Sequence, residues 1–214
     1  LRLLAQLALT SQFIPMDPAL WRVDRYSDFL EARRELLALK INEFRDALIT
    51  EPEEVHHRLV SELIELGEST VLEFKSTLQW DVVQDKQNKE LRQSCLKTIA
   101  AFMNSGGGTL VIGVEDDGGV FGLSRDLNIL GDSVDKFEQT LNNLVVESIG
   151  PGIAPYFRTR FEQIEEQTVC VVDVEPVRDG VFAKTSKGKE FFVRVGNTTR
   201  SLDPEQTTDY LNRD

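Results

Sequence analysis

The chain has 214 residues, of which 41% are hydrophobic, and a chain of this length can bury the core of one mixed domain and carry a helical extension. Its formal net charge of −12 argues against a general affinity for nucleic acid, because phosphate binding relies on lysine and arginine. The sequence shows no long apolar run and no cleavable leader, so we expect a cytoplasmic protein that does not enter the membrane. Cys95 and Cys170 lack metal-site spacing, and we expect both to be core thiols.

The first 66 residues are predicted to form a helical extension. Apolar residues recur at helical spacing from Arg25 to Leu48, and a capping box at Thr50-Glu51-Pro52-Glu53 opens a second helix that runs to Leu66. These helices suit a linker, an arm that pairs two chains in a homodimer, or the tail of an upstream domain. The chain begins at Leu1 without Met, so we expect a piece of a longer protein whose main domain spans residues 67–214.

The segment from Val71 to Lys75 alternates apolar and charged residues, which is typical of a strand with one buried face. Leu72 and Phe74 are expected to face the core. Glu73 and Lys75 then lie side by side on the polar face, because successive side chains of a strand point in opposite directions. An acid and a base are thus predicted to be neighbours on one strand.

A helix, a glycine run and an apolar strand follow in that order. Gly106-Gly107-Gly108 precedes the predicted strand Thr109–Val114. A phosphate-binding P-loop is excluded, because its Gly-Lys-Ser/Thr end is missing after Gly108. We predict that the run is a helix-to-strand turn, with a backbone contact to an anion as an alternative role. The helix before it is indicated by apolar residues at helical spacing, namely Leu91, Cys95, Ile99 and Phe102.

The remaining elements predict an α+β fold. Asp116-Asp117-Gly118-Gly119 has the chemistry of a hairpin turn, and Asp132 is the expected cap of a helix that runs to Ile149. Strands are predicted at Tyr156–Phe161, Thr168–Val174 and Phe191–Val195, the last of which leads into a polar loop at residues 196–200. The predicted architecture is a mixed β-sheet with packed helices, preceded by the helical extension.

Glu68, Glu73 and Asp116 are candidate ligands of a metal ion. Glu68 lies five residues before Glu73, so it must approach from the turn before the strand, where Gly67 permits the backbone to turn. Clustered carboxylates hold Mg²⁺ or Mn²⁺ and leave positions for water and phosphate. Lys75 beside them can orient a water molecule or stabilise phosphate charge. The alternative is that the three residues are ordinary surface acids in a chain that contains 36 acidic residues.

Two basic stretches are candidates for contacts with phosphate groups. The denser stretch is predicted to bind nucleic acid and consists of Lys184, Lys187, Lys189, Arg194 and Arg200. The other stretch is near the carboxylates in sequence and consists of Lys86, Lys89, Arg92 and Lys97. For both stretches the alternative is a charge-balanced surface without a ligand.

Four segments resemble the Schlafen AlbA-like domain family, in the same order along the chain. They are Glu68 to Lys75, Ala101 to Asp116, Val120 to Leu123, and Phe191 to Arg200. In the animal members, the resemblance implies, the counterparts of Glu68, Glu73 and Asp116 form the acidic centre of a metal-dependent ribonuclease that acts on tRNA and rRNA. Many bacterial relatives are described only as DNA-binding or divergent ATPase-like domains.

The leading hypothesis is a metal-dependent nuclease that acts on structured RNA such as tRNA, with RNA favoured over DNA. It places Mg²⁺ or Mn²⁺ at Glu68, Glu73 and Asp116, with Lys75 as an electrostatic helper. The first alternative is a non-catalytic nucleic-acid-binding or regulatory module of a larger bacterial protein, and the second is an oligomerisation domain. A short similarity between Trp21 to Arg33 and the end of GmrSD-type restriction enzymes implies a role in defence.

Overall fold

The computed structural model describes residues 58–212. The chain divides into two units, residues 1–57 and residues 58–214. The helix predicted from Arg25 to Leu48 and the capping box at residues 50–53 lie outside the described residues.

The described residues contain both helices and a mixed sheet, which confirms the predicted α+β class. In chain order the elements are α1 (Val60–Leu66), β1 (Leu72–Lys75), β2 (Trp80–Asp81), β3 (Lys86–Gln87), α2 (Lys89–Asn104), β4 (Gly108–Ile112), α3 (Ser124–Asn128), α4 (Val134–Ser148), a 3-10 helix (Pro151–Tyr156), β5 (Phe157–Ile164), β6 (Gln167–Val174), β7 (Phe182–Thr185), β8 (Gly188–Val195), β9 (Thr198–Leu202) and α5 (Pro204–Leu211).

The larger sheet has four strands in the order β1-β4-β6-β5. Strand β1 runs parallel to β4, whereas β6 is antiparallel to both β4 and β5. Strand β4 is apolar at successive positions because both faces of the sheet are covered. Leu110 and Ile112 belong to the core cluster that includes residues of α2 and α4, and Val111 belongs to the cluster that includes residues of α1. Complete burial of such a side chain stabilises the fold by about 1.5–3 kcal/mol.

Helix α2 lies between the larger sheet and a second, three-stranded sheet in the order β7-β8-β9. Ile99 and Phe102 on one side of α2 join the core of the larger sheet. Ala100 and Ala101 on the other side pack with Phe192 of β8. Because alanine side chains are small, the second sheet can approach the helix closely.

Polar contacts at the end of α2 fix the position of β8. The Asn104 side-chain amide donates hydrogen bonds to the Val181 and Phe192 carbonyls, each at 2.8 Å, and its oxygen accepts one from the Val181 N–H. The Arg194 N–H donates to the Ser105 hydroxyl at 3.0 Å. These bonds satisfy a buried amide and hold the strand in one register against the helix.

Two local predictions are wrong. Asp132 does not cap the helix that follows it, because α4 begins at Val134 and the Ser133 hydroxyl accepts the Lys136 N–H. The segment after β8 is not a loop, since Thr198–Leu202 forms β9 and pairs antiparallel with β8. The segment is predicted as a loop because its residues are polar. They are polar because most of β9 is exposed at the edge of the sheet.

The prediction of two core thiols is confirmed, since Cys95 and Cys170 are both free and buried. Burial raises the pKa of Cys95 to about 12 and also raises the pKa of Cys170, because a thiolate is poorly solvated in the core. No helix within residues 58–212 is long and apolar enough to cross a membrane.

Candidate functional site

Strand β1 directs its apolar and charged residues to opposite faces, as its alternation predicts. Leu72 and Phe74 are buried in the core cluster that includes residues of α1. Glu73 is level with Leu110 of β4, so it shares the face of the sheet on which α2 packs. Lys75 lies two residues further along on that same face. The acid and the base are therefore neighbours at the edge of the sheet, beside α2.

Glu68 approaches β1 from the preceding turn, as its spacing predicts. Gly67 ends α1 with a φ of 68°, and the Ser69 N–H then donates to the Leu72 carbonyl at 2.8 Å. Glu68 Oε1 accepts the Phe74 N–H at 2.9 Å. Leu72 and Phe74 point their backbone groups away from β4, so this turn covers the open edge of β1. One carboxylate oxygen of Glu68 is thus already occupied by the backbone.

Glu73 lies between two cations. Its Oε1 atom accepts a hydrogen bond from Lys75 Nζ at 2.7 Å, and its Oε2 atom lies 2.8 Å from Arg194 Nη1. Oε2 is buried and has no aligned hydrogen-bond donor, so the contact with Arg194 is an ion pair without an N–H pointing at the oxygen. The Glu73 side chain is 13% exposed.

Arg194 is a buried connection rather than part of an exposed basic surface. Its side chain has 0% exposure, which rules out contact with nucleic acid in this conformation and corrects its place in the predicted binding stretch. The guanidinium donates to the Ser69 carbonyl at 2.8 Å, to the Thr70 carbonyl at 3.3 Å and to the Thr199 hydroxyl at 3.1 Å. It also lies 5.0 Å from the centre of the Phe102 ring. Arg194 therefore ties β8 to the turn before β1.

Asp116 lies in the turn that follows β4. Strand β4 ends at Ile112, which is level with Lys75, and Asp116 is four residues beyond that point. The turn is closed by the Glu115 N–H, which donates to the Gly119 carbonyl, and the Asp116 side chain is exposed. Asp116 does not line the cavity that Glu73 and Lys75 share.

That cavity, which we name the β1 cavity, has a volume of about 400 Å³. Its cations are Lys75, Lys97 and Lys187, and its carboxylates are Glu73 and Glu190. Lys97 Nζ also lies 5.7 Å from the centre of the Phe192 ring, which forms part of the wall. Hydroxyl groups supply most of the other lining, and they belong to Ser94, Thr98, Thr185, Ser186, Thr199 and Ser201.

A set of ammonium and hydroxyl donors around one cavity is suited to an anion with several acceptor oxygens, such as phosphate. The buried Arg194 neutralises part of the negative charge of the Glu73 carboxylate, so Glu73 does not cancel the whole charge of Lys75. The cavity is therefore locally positive although the chain is acidic.

Comparison with protein families matches residues 68–203 to the family described as Schlafen, AlbA_2. The chain belongs to this family. Its membership confirms the resemblance seen in the sequence and indicates a nucleic-acid-related function. A comparison with curated proteins gives no match. Among solved structures, the DIP2311 protein from Corynebacterium diphtheriae is similar at 19% identity and a TM-score of 0.47, over 66% of this chain and 26% of that protein.

The carboxylates of this Schlafen domain do not fit a metal ion as they are arranged. Glu73 faces two cations, one oxygen of Glu68 holds a backbone N–H, and Asp116 is on a separate turn. Among residues 58–212 no group of three or more His, Cys, Asp or Glu side chains is arranged to hold a metal. Binding of Mg²⁺ or Mn²⁺ by this set therefore requires a rearrangement of the site.

The residues of the predicted basic stretch lie on different faces of the second sheet of the Schlafen domain. Lys187, in the turn between β7 and β8, lines the β1 cavity. Lys184 and Lys189 are opposite each other across β7 and β8, and Arg200 is opposite Val193. The alternation of β8 places Lys189 on the face away from α2, whereas Phe192 and Arg194 face the helix. Lys189 and Arg200 do not line the cavity.

The hydroxyl groups of the β1 cavity are absent from the sequence-based prediction. Ser94 and Thr98 are one helical turn apart on α2, with Lys97 on the same side, and this spacing is visible in the sequence. The other hydroxyl groups come from the second sheet, whose strands β7 and β9 were not predicted. Without those strands, their hydroxyl groups have no predicted position.

Proposed function

We propose that this Schlafen domain binds nucleic acid by its phosphate groups and that the β1 cavity receives one of them. The observation that supports the proposal is the convergence of Lys75, Lys97 and Lys187 with six hydroxyl side chains in a chain of net charge −12. Lysine neutralises phosphate charge, and hydroxyl groups donate to its oxygens.

RNA is the favoured partner in this proposal. A ribose 2′-hydroxyl both donates and accepts hydrogen bonds, so a wall rich in serine and threonine can distinguish RNA from DNA. The cavity also contains Glu73 and Glu190, which limit its net charge. We therefore expect a modest affinity that decreases steeply as salt is added.

Fluorescence anisotropy with labelled tRNA, single-stranded DNA and duplex DNA in EDTA tests the proposal. We expect the order tRNA, single-stranded DNA, duplex DNA, and a weaker affinity for Lys97→Gln. Loss of one phosphate contact should lower the slope of log affinity against log salt by about 0.7–0.9. Lys136→Gln on α4 is the matched control, because Lys136 is exposed and does not line the cavity.

The thermal melting of Lys97→Gln is measured in parallel, since Lys97 contacts the Phe192 ring. If the wild-type chain binds none of the three nucleic acids, or if a folded Lys97→Gln variant binds like Lys136→Gln, the proposal is wrong.

A second candidate is a metal-dependent endoribonuclease, which the resemblance of Glu68, Glu73 and Asp116 to the acidic centre of the animal family members favours. Glu73 is paired with Lys75 and Arg194, so this activity requires the site to rearrange before the three carboxylates can bind a divalent cation. The test is cleavage of tRNA with Mg²⁺, with Mn²⁺ or with EDTA. We expect Asp116→Asn to reduce cleavage at least about a hundredfold. Asp209→Asn on α5, also an exposed aspartate, is the control. If tRNA is cleaved with neither ion, or is cleaved equally well in EDTA, the metal-dependent nuclease is wrong and only the binding function remains as the proposal.

A further inference from the structure

Basic side chains occupy both oxygens of the Glu73 carboxylate. Lys75 Nζ donates to Glu73 Oε1 at 2.7 Å and to the Phe74 carbonyl at 2.7 Å. Arg194 Nη1 lies 2.8 Å from Oε2 on the other side. At their formal charges the three side chains together are positive, whereas a divalent cation such as Mg²⁺ is bound through oxygen ligands that are free to face it. The surroundings of Glu73 therefore suit an anion better than a cation.

The two cations beside Glu73 differ in how firmly they are held. The Arg194 side chain has no exposed surface, and its guanidinium also donates to two carbonyls and to the Thr199 hydroxyl. The Lys75 side chain is 23% exposed and lines the β1 cavity, so its ammonium can turn towards solvent. Oε2 is itself buried, so an ion from solvent reaches Glu73 at Oε1. Lys75 is therefore the cation that an incoming ion has to displace.

A divalent cation and the Lys75 ammonium are in conflict at Oε1. An ion such as Mg²⁺ binds a carboxylate oxygen at about 2.1 Å, which leaves it no more than about 5 Å from Nζ. Like charges at that distance repel each other strongly where the site is partly shielded from water. The Glu73 side chain is only 13% exposed, so solvent and salt screen this repulsion incompletely.

We infer that Lys75 takes the place of a divalent cation at Glu73, so that the charged amine and a metal ion exclude each other at Oε1. The set of Glu68, Glu73 and Asp116 then binds no metal ion as long as Lys75 is paired with Glu73. This exclusion depends only on groups of the protein, so it holds whether or not the domain binds nucleic acid. The release of Lys75 from Glu73 is the rearrangement that any metal-dependent activity of this domain needs.

Binding of Mn²⁺ to the full chain, without nucleic acid, tests the exclusion. Electron paramagnetic resonance of the free ion is the readout. We expect a dissociation constant above about 1 mM for the wild type. Lys75→Met removes the competing charge and should bind Mn²⁺ at least about tenfold more tightly. Lys75→Arg keeps the charge and should bind the ion as weakly as the wild type.

Lys97→Met is the matched control, because Lys97 lines the same cavity but has no ion pair with Glu73 within residues 58–212. Its ammonium contacts the Phe192 ring instead. Removal of this charge should change the affinity for Mn²⁺ by less than about threefold. Paramagnetic broadening of amide NMR signals locates the bound ion, and in Lys75→Met it should affect the signals of β1. Thermal melting of each variant shows whether it is folded.

A wild type that binds Mn²⁺ at β1 with a dissociation constant well below about 1 mM overturns the exclusion, since Lys75 then does not keep the ion out. The exclusion is also wrong if a folded Lys75→Met variant gains no affinity, or if the ion that it gains broadens no signal of β1. An equal gain for Lys97→Met or for Lys75→Arg overturns it as well. These measurements leave the phosphate site untouched, because the nucleic-acid titrations of Lys97→Gln decide that function separately.

Discussion

Glu73 and Arg194 form an ion pair at 2.8 Å in which the arginine side chain has no exposed surface. The pair joins the edge strand of the larger sheet to the middle strand of the second sheet. Two carbonyls of the turn before β1 and the Thr199 hydroxyl accept the other hydrogen bonds of the guanidinium. Glu73 therefore has a structural role whether or not it also contacts a ligand.

Glu73→Gln should lower the free energy of unfolding by about 3 kcal/mol, because it leaves the buried Arg194 without its counter-charge. Arg194→Met should have an effect of similar size, and the double variant should lose less than the sum of the two. Urea denaturation measures all three. Asp116→Asn is the control, and it should change the stability by less than about 0.5 kcal/mol, because Asp116 is exposed. A Glu73→Gln variant as stable as Asp116→Asn contradicts the structural role.

Charge reversal should distinguish two lysines that are adjacent in the predicted basic stretch. Lys187→Glu should weaken binding of a single-stranded RNA and lower its salt slope by at least about 0.7, because Lys187 lines the β1 cavity. Lys189→Glu should have little effect, because Lys189 is on the opposite face of the sheet. Anisotropy titrations over a salt series measure both. Equal effects at both positions show that the two lysines act through the general charge of the surface and not through the β1 cavity.

The glycine run should tolerate alanine at its first position and not at its third. A Cβ atom at Gly108 falls 2.8 Å from the Val71 carbonyl and also overlaps the Phe102 ring, whereas Gly106 has open space. Gly108→Ala should therefore cost about 1–3 kcal/mol of stability, and Gly106→Ala should stay within about 0.5 kcal/mol. Thermal or urea unfolding of the two variants gives the comparison. A large loss of stability for Gly106→Ala contradicts this explanation, because the packing leaves open space at that position.

Asp126 should make the stability depend on pH in a particular direction. Its carboxylate is buried and accepts the N–H groups of Leu78 at 2.7 Å and of Gln79 at 3.0 Å. Burial raises the pKa of Asp126 above 3.8 despite these hydrogen bonds, which favour the charged form. A raised pKa in the folded state means that the related stabilisation is present below the unfolded value and is lost as the pH rises through the folded value.

The measurement compares the wild type with Asp126→Asn, which cannot titrate, by urea denaturation between pH 3 and pH 7. The difference in unfolding free energy should shift in favour of the wild type as the pH decreases through the folded pKa of Asp126. A shift in the opposite direction shows that the two backbone hydrogen bonds outweigh burial and lower the pKa.

Local periodicity was sufficient to predict the elements that build the centre of the domain. The alternation of residues 71–75 indicated which side chains of β1 are buried, and the apolar run after the glycines indicated β4. Both patterns are set by the geometry of a strand and by which faces of the sheet are covered, so a few neighbouring residues contain the information. The family could also be recognised, because its motifs are short and keep their order along the chain.

Partners that are distant in sequence were decided by the tertiary structure. Nothing in the sequence near Arg194 shows that it is buried against Glu73. The charges of neighbouring residues do not distinguish a buried arginine from an exposed one. The register between β8 and β9 decides that Arg194 meets Thr199, and a slip of one residue reverses the faces of the strand. The same packing selects Lys187 and not Lys189 for the β1 cavity. Because a binding site needs groups from several elements at once, its composition follows from how the two sheets enclose α2.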